Sequence, residues 1–127
     1  MIRKTPIEIN KKTFQKMGYE LIDKIAHFMN TIDEKHVTTN KSNTEIAALI
    51  GTTSLPENGS DPDVLLAKTT DILMENSLLN GHPKFMGYIT SSPTPIGVLA
   101  DLLAATINPN VGAQILSPVA TEIEKQT

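Results

Sequence analysis

Residues 82–127, HPKFMGYITSSPTPIGVLADLLAATINPNVGAQILSPVATEIEKQT, decide how this chain is read. Two helix starts stand inside the stretch, each a hydroxyl residue followed by proline: Thr94-Pro95 and Ser117-Pro118. The hydroxyl oxygen accepts an orphan backbone N–H, and proline has none to leave unsatisfied. Helices are therefore expected at about 95–107 and from 118 onward, with long ordered loops at 80–93 and 108–117. FMGYIT (85–90) and GAQIL (112–116) read as short extended segments at most. No alternating runs joined by hairpin turns exist, so a self-contained sheet is not expected. The last helix meets the chain end with Val119, Ala120 and Ile123 barely begun, which reads as part of something longer.

The same device recurs upstream at Asp61-Pro62, which opens a helix expected over 62–79. The run GTTSLPENGSDP, 51–62, is a turn-rich connection in which Gly, Pro, Asn and Ser cluster. Before it, EIAALI forms a short helix capped by Asn43 or Thr44 and ended by Gly51. Residues 34–42 are polar and loop-like, and 1–10 read as an irregular arm. From Lys11 to about Asp33 the pattern is helical, with Phe14, Met17, Leu21, Ile25, Phe28 and Ile32 recurring at steps of three and four on one stripe. Lys16, Glu20, Asp23, Lys24 and Asn30 fall on the other side, and Gly18 inside this helix is expected to mark a close packing contact. The coarse fold is mainly α, and its first helix carries a wider apolar stripe than two comparable helices cover.

Composition narrows the function. A chain of 127 residues with 39% hydrophobic content is one domain's worth, but it has no Trp, three Phe and two Tyr. A small helical set this poor in aromatics is marginally stable alone. The formal net charge of −3, with both signs interspersed, argues against a nucleic-acid surface, which needs a basic stripe. Without cysteine there is no disulfide framework, thiolate zinc site or thiol nucleophile. The start MIRKTPIEINKK lacks the apolar run of a signal peptide, and no stretch approaches the ~20 apolar residues that span a bilayer. A cytoplasmic protein is expected by elimination.

Two loops concentrate special residues. The first, 81–93, offers Tyr88 and the hydroxyls of Thr90, Ser91 and Ser92 just before a helix N-terminus, where free N–H groups favour anions. Spacing alone is better served by hydroxyl-stabilised turns, a cap and a packed tyrosine. In the second, 108–114, Asn and Gly serve turn geometry. His27, His36 and His82 are too scattered for a metal site, and no HExxH, phosphate-binding glycine loop or GxSxG elbow occurs. Glu122 and Glu124 lie two apart on a helix and face different ways. Lys84 follows His-Pro in a loop and reads as a solvated lysine, not a Schiff base.

The order HPxFxGY, then PxxxLADLLAAxINPNVGA, then SPxATEIE, over 82–124, resembles the pyridoxal-phosphate-dependent group II amino-acid decarboxylases, the aromatic-amino-acid, histidine and glutamate family. The first helix is similar to that family's opening helix through Phe14, Gly18, Ile22-Asp23 and Phe28-Met29, and EIAALIGTTSLPENG resembles its second segment. The resemblance implies the N-terminal helical segment of a fold-type I enzyme whose full protein is α/β. It implies a helical dimerisation segment at 1–80 and the start of the decarboxylase domain at 81–127. By the same resemblance Tyr88, Ile89, Thr90 and Ser91 line the substrate pocket. The 108–113 loop, with Asn110, Val111 and Gly112, reaches the neighbouring subunit's active site of a homodimer. Gln114 departs from the pattern, since many members carry tryptophan there.

The resemblance also says what these residues lack. The family holds pyridoxal phosphate on a lysine preceded by histidine, with an aspartate at the pyridine nitrogen and a histidine over the ring, all beyond the position of Thr127. This chain alone is therefore expected neither to hold the cofactor nor to decarboxylate an L-amino acid. Aromatic substrates look closest; glutamate or a diamino acid stays open. The competing expectation is a stand-alone helical module that dimerises or binds decarboxylase subunits without catalysis.

Overall fold

The structure, a computed structural model, describes residues 8–51 and 57–127. Most of the expected N-terminal arm and the centre of the 51–62 connection lie outside the described residues. What is described is helical, with no strand among the described residues. The residues divide between Thr90 and Ser91 into two compact units.

In the first unit, α1 spans Lys11–Asn30, opened by the Asn10 side chain, which accepts the Thr13 N–H at 3.0 Å. Thr31 closes it by returning its N–H to His27 and Phe28, and a 3-10 turn at Ile32–Glu34 follows. α2, Asn43–Ile50, starts at the earlier of the two expected caps, so its own cap lies one residue before. Its cap is Ser42, because the Ser42 hydroxyl accepts the Glu45 N–H while the Glu45 carboxylate accepts the Ser42 N–H at 2.7 Å. That reciprocal box holds the Glu45 carboxyl below its ordinary pKa, chiefly through the Ser42 side chain. Gly51 ends the helix at φ 92°, a backbone that suits glycine.

α3, Pro62–Asn76, begins as expected, with Asp61 accepting the Asp63 and Val64 N–H groups. It stops three residues short of the expected end. Ser77 turns extended, and the Leu79 N–H goes to the Val37 carbonyl at 2.8 Å instead of continuing the helix. α1 and α3 lie side by side: Lys16 pairs with Asp63 and Lys24 with Asp71 at 2.7 Å. Both members advance eight residues between these pairs, so the two helices run parallel. Parallel neighbours require a long return, which the 31–61 connection provides. Met17 and Thr70 are the buried residues of the pair, and Thr70 satisfies its hydroxyl on the Leu66 carbonyl.

The apolar stripe of α1 is only partly the expected one. Met17 is buried and Leu21, Ile25, Phe28 and Ile32 are half-buried, but Phe14 is 60% exposed. Lys16, Glu20 and Lys24, expected on the far side, border the α3 seam, because long lysine stems carry the charge to Asp63 and Asp71 while their bases lie near the helix contact. The carboxylates of Asp63 and then Glu20 raise the Lys16 pKa by accepting hydrogen bonds from its ammonium group. Gly18 makes no close contact: a Cβ there would meet nothing within 4 Å.

The second unit holds α4, Pro95–Ile107, and α5, Pro118–Gln126. Thr94 caps α4 by accepting the Gly97 N–H at 3.1 Å, and Asn108 ends it in the left-handed region at φ 47°. Ser117 is not the side-chain cap expected for α5; it is buried at ψ 69°, and its carbonyl, not its hydroxyl, takes the Thr121 N–H. Ile96, Leu99, Leu102, Leu103 and Ile107 of α4 are all exposed. No described helix is long and apolar enough to cross a membrane.

Candidate functional site

The 80–91 segment is built outward from His82, which is 3% exposed. Its Nδ1 accepts the Lys84 N–H at 3.0 Å, so the ring proton sits on Nε2, which donates to the Lys35 carbonyl at 3.0 Å. The His82 carbonyl accepts the Phe85 N–H at 2.9 Å and closes a turn through Pro83 and Lys84. The Phe85 ring then lies over Gly87, where a Cβ would come within 3.2 Å of it. Past Gly87 the chain turns sharply, with Tyr88 at φ 60°. This is why FMGYIT is not the extended segment its composition suggested. A bulky residue in the left-handed region costs about 1–3 kcal/mol and persists only where the surroundings fix it.

Tyr88 is held outward, 87% exposed, its ring centroid 6.5 Å from that of Phe85 and tilted by 39°. Ile89 and Thr90, which follow it at the end of the first unit, are exposed, and Ser91, which begins the second, is exposed as well. Thr94 is committed to capping. Pro95 has no N–H, Gly97 donates to the Thr94 hydroxyl and Val98 to the Thr94 carbonyl, which leaves little of the helix start for an anion.

In the second unit, Asn110 accepts the Gly112 N–H on Oδ1 at 2.9 Å, an Asx turn that carries Val111 at its tip. The 112–116 segment is mostly turns and, like 85–90, is not strand. Gln114 has a structural task that the sequence did not reveal: its side chain donates to Glu122 Oε1 at 2.8 Å, which Lys125 also reaches at 2.6 Å. Glu122 is thereby a tie between loop and helix, consistent with its not pairing with Glu124. Two further roles escaped the sequence reading. In sequence His82 is the first residue of HPxFxGY and too far from the other histidines for a metal site; its partner, the Lys35 carbonyl, lies 47 residues away. Gly97 is required because a Cβ there would stand 2.8 Å from the capping Thr94 hydroxyl.

Among the described residues no cluster of His, Asp and Glu is arranged to hold a metal. A cleft of about 460 Å³ lies in the first unit between the 34–41 connection and the end of α3. Its lysines are engaged, Lys35 with Glu75 at 2.6 Å and Lys41 with the Asn76 amide at 2.9 Å. Lys35 also stands 5.8 Å over the Phe28 ring.

No family model matches the chain. Curated relatives do. Over 121 residues, 95% of the chain, it is 30% identical to an aromatic-L-amino-acid decarboxylase of Bacillus atrophaeus. It is 28% identical over 87% of its length to a histidine decarboxylase of Rattus norvegicus, and 37% identical over 45% of its length to a glutamate decarboxylase-like protein of Gibberella zeae. The chain is similar to amino-acid decarboxylases. It spans about a quarter of the bacterial relative, 17% of the rat one and 11% of the fungal one.

Pyridoxal phosphate, the cofactor the sequence resemblance implies, does not fit the residues described here taken by themselves. The cleft presents no uncommitted lysine to carry the aldehyde; His36 is the one ring among its lining residues.

Proposed function

We propose that the chain is the N-terminal segment of a pyridoxal-phosphate-dependent carboxy-lyase that converts an L-amino acid, aromatic by preference, to its amine. The observation that carries this reading is the collinear similarity to an aromatic-L-amino-acid decarboxylase across 95% of the chain. The outward-held Tyr88 supports it, since a strained, exposed aromatic is a feature suited to a ligand wall. In this reading 1–80 is the helical dimerisation segment and 81–127 the start of the catalytic domain of a fold-type I, α/β protein. The protein is a cytoplasmic homodimer. Tyr88, Ile89, Thr90 and Ser91 face the substrate of their own subunit, and Asn110, Val111 and Gly112 reach the partner's site. The cofactor supplies an electron sink for the carbanion left by loss of carbon dioxide. Shape and exclusion of water are what this segment's exposed loop adds.

The test is carbon dioxide release from L-tyrosine, L-tryptophan, L-glutamate and L-histidine by the complete protein carrying this segment, with pyridoxal phosphate supplied. Release from an aromatic substrate is the expected result, and the isolated 127-residue chain is expected to release none. Release from glutamate alone would retain the reaction and overturn the aromatic preference. A second reading, a helical interaction module without catalysis, is favoured by the apolar residues exposed around α4. It predicts no release from any amino acid while assembly persists.

A further inference from the structure

We infer that His82 is a positioning residue whose two ring nitrogens fix the orientation of Tyr88. The inference rests on the decarboxylase reading only for what Tyr88 faces; the orientation itself is a property of this chain. Nε2 donates to the Lys35 carbonyl and anchors the loop to the connection after α1, and Leu79 adds a backbone bond to Val37 beside it. On the other side of the ring, Nδ1 takes the Lys84 N–H, and the His82 carbonyl takes the Phe85 N–H, so one residue sets three consecutive steps of backbone. Phe85 is thereby seated over Gly87, and the lack of a side chain at Gly87 lets the ring approach. The left-handed turn at Tyr88 follows directly from that seat. The arrangement requires one group that donates at one end and accepts at the other while buried. Neutral imidazole does this, phenylalanine has the shape without the bonds, and glutamine has a donor and an acceptor on one planar group.

The experiment is solution NMR on the full 127-residue chain with three versions of this position: His82, His82→Phe and His82→Gln. In the parent, Tyr88 should show the strong intraresidue HN–Hα cross-peak of a positive φ, together with Phe85–Tyr88 ring contacts, and His82 should be the Nε2-protonated tautomer. His82→Phe should lose both Tyr88 signatures by at least half while the α1 and α3 helical shifts persist; His82→Gln should restore them. Tyr88 signatures retained in His82→Phe would overturn the inference, as would a parent that lacks them. So would a Gln variant that behaves like Phe, because burial alone would then be the role of His82. Should His82→Phe unfold the unit, the Gln comparison and the parent's tautomer still decide. None of these readouts depends on decarboxylation, so an inactive complete protein with intact Tyr88 signatures would refute the functional reading and leave the positioning role standing.

Discussion

His82 Nε2 and the Lys35 carbonyl oxygen meet at 3.0 Å across 47 residues of chain, the same separation that joins Lys16 to Asp63 and Lys24 to Asp71. The parallel register of α1 and α3 thus continues past both helices into the loop that carries Tyr88. The ion pairs that mark this register are exposed, and exposed pairs contribute little to stability because water already solvates both charges. Lys24→Ala should move the urea midpoint of helix loss by less than the scatter between ordinary surface variants. Met17→Ala, which removes a buried side chain from the seam, should cost about 2 kcal/mol or more. Circular dichroism at 222 nm checks both, and equal effects would mean that charge, not packing, holds the seam.

The capping box of α2 gives a pH dependence with a definite sign. Hydrogen bonding from Ser42 holds the folded-state pKa of Glu45 below its unfolded value. The stabilisation is therefore complete above the usual carboxylate range and is lost as pH falls through the lowered folded value. Cα chemical shifts of 43–50 should hold their helical values down to that range and move toward coil below it. Ser42→Ala should start from a lower helical content and show a smaller acid step, since its Glu45 has lost the bond that the proton breaks.

These outcomes also show which parts of the architecture are written locally. Asp61-Pro62 and Thr94-Pro95 announced their helices because a cap and a proline act within one turn, and Ser42 was misplaced by one residue for the same reason, three polar residues standing together. Ser117 looks identical to Thr94 in sequence, yet it is buried at ψ 69° and its hydroxyl makes no cap bond. The pairing of α1 with α3, the early end of α3 at Asn76 ahead of the Leu79–Val37 bond, and the anchoring of His82 all depend on partners tens of residues away, where no spacing rule reaches. Gly18 looked like a packing glycine and Gly97 drew no notice. The difference is whether another atom occupies the Cβ position, and only three-dimensional structure says so.

Gly97 makes that point testable. Alanine is the better helix former by about 1 kcal/mol in a helix interior. At this position its Cβ would stand 2.8 Å from Thr94 Oγ1, so the hydroxyl must leave the Gly97 N–H that it caps. Gly97→Ala should fray the first turn of α4 in Cα shifts despite its higher propensity. Gly18→Ala, with open space at its Cβ, should raise the helicity of α1 instead.

Tyr88 separates backbone strain from side-chain use. Tyr88→Gly should stabilise the first unit by about 1 kcal/mol, because glycine adopts φ 60° without steric cost. Under the proposed function the same change should remove most of the decarboxylation by the complete protein. Tyr88→Phe should leave stability unchanged. A destabilised glycine variant in thermal unfolding would show that the ring contact with Phe85 outweighs the strain.

Assembly gives the last test, and the structure determines which residue to change. Leu21 belongs to the same apolar stripe as Phe14 but lines the groove against Leu66, Ala67 and Thr70 of α3, so an aspartate there would disrupt the chain's own packing. Phe14, 60% exposed, has no such duty. If the proposed homodimer uses the α1 stripe, Phe14→Asp should convert the complete protein from dimer to monomer in sedimentation velocity with its helical signal intact. A dimer that persists with Phe14→Asp would exclude this face from the interface and direct attention to the exposed residues of α4.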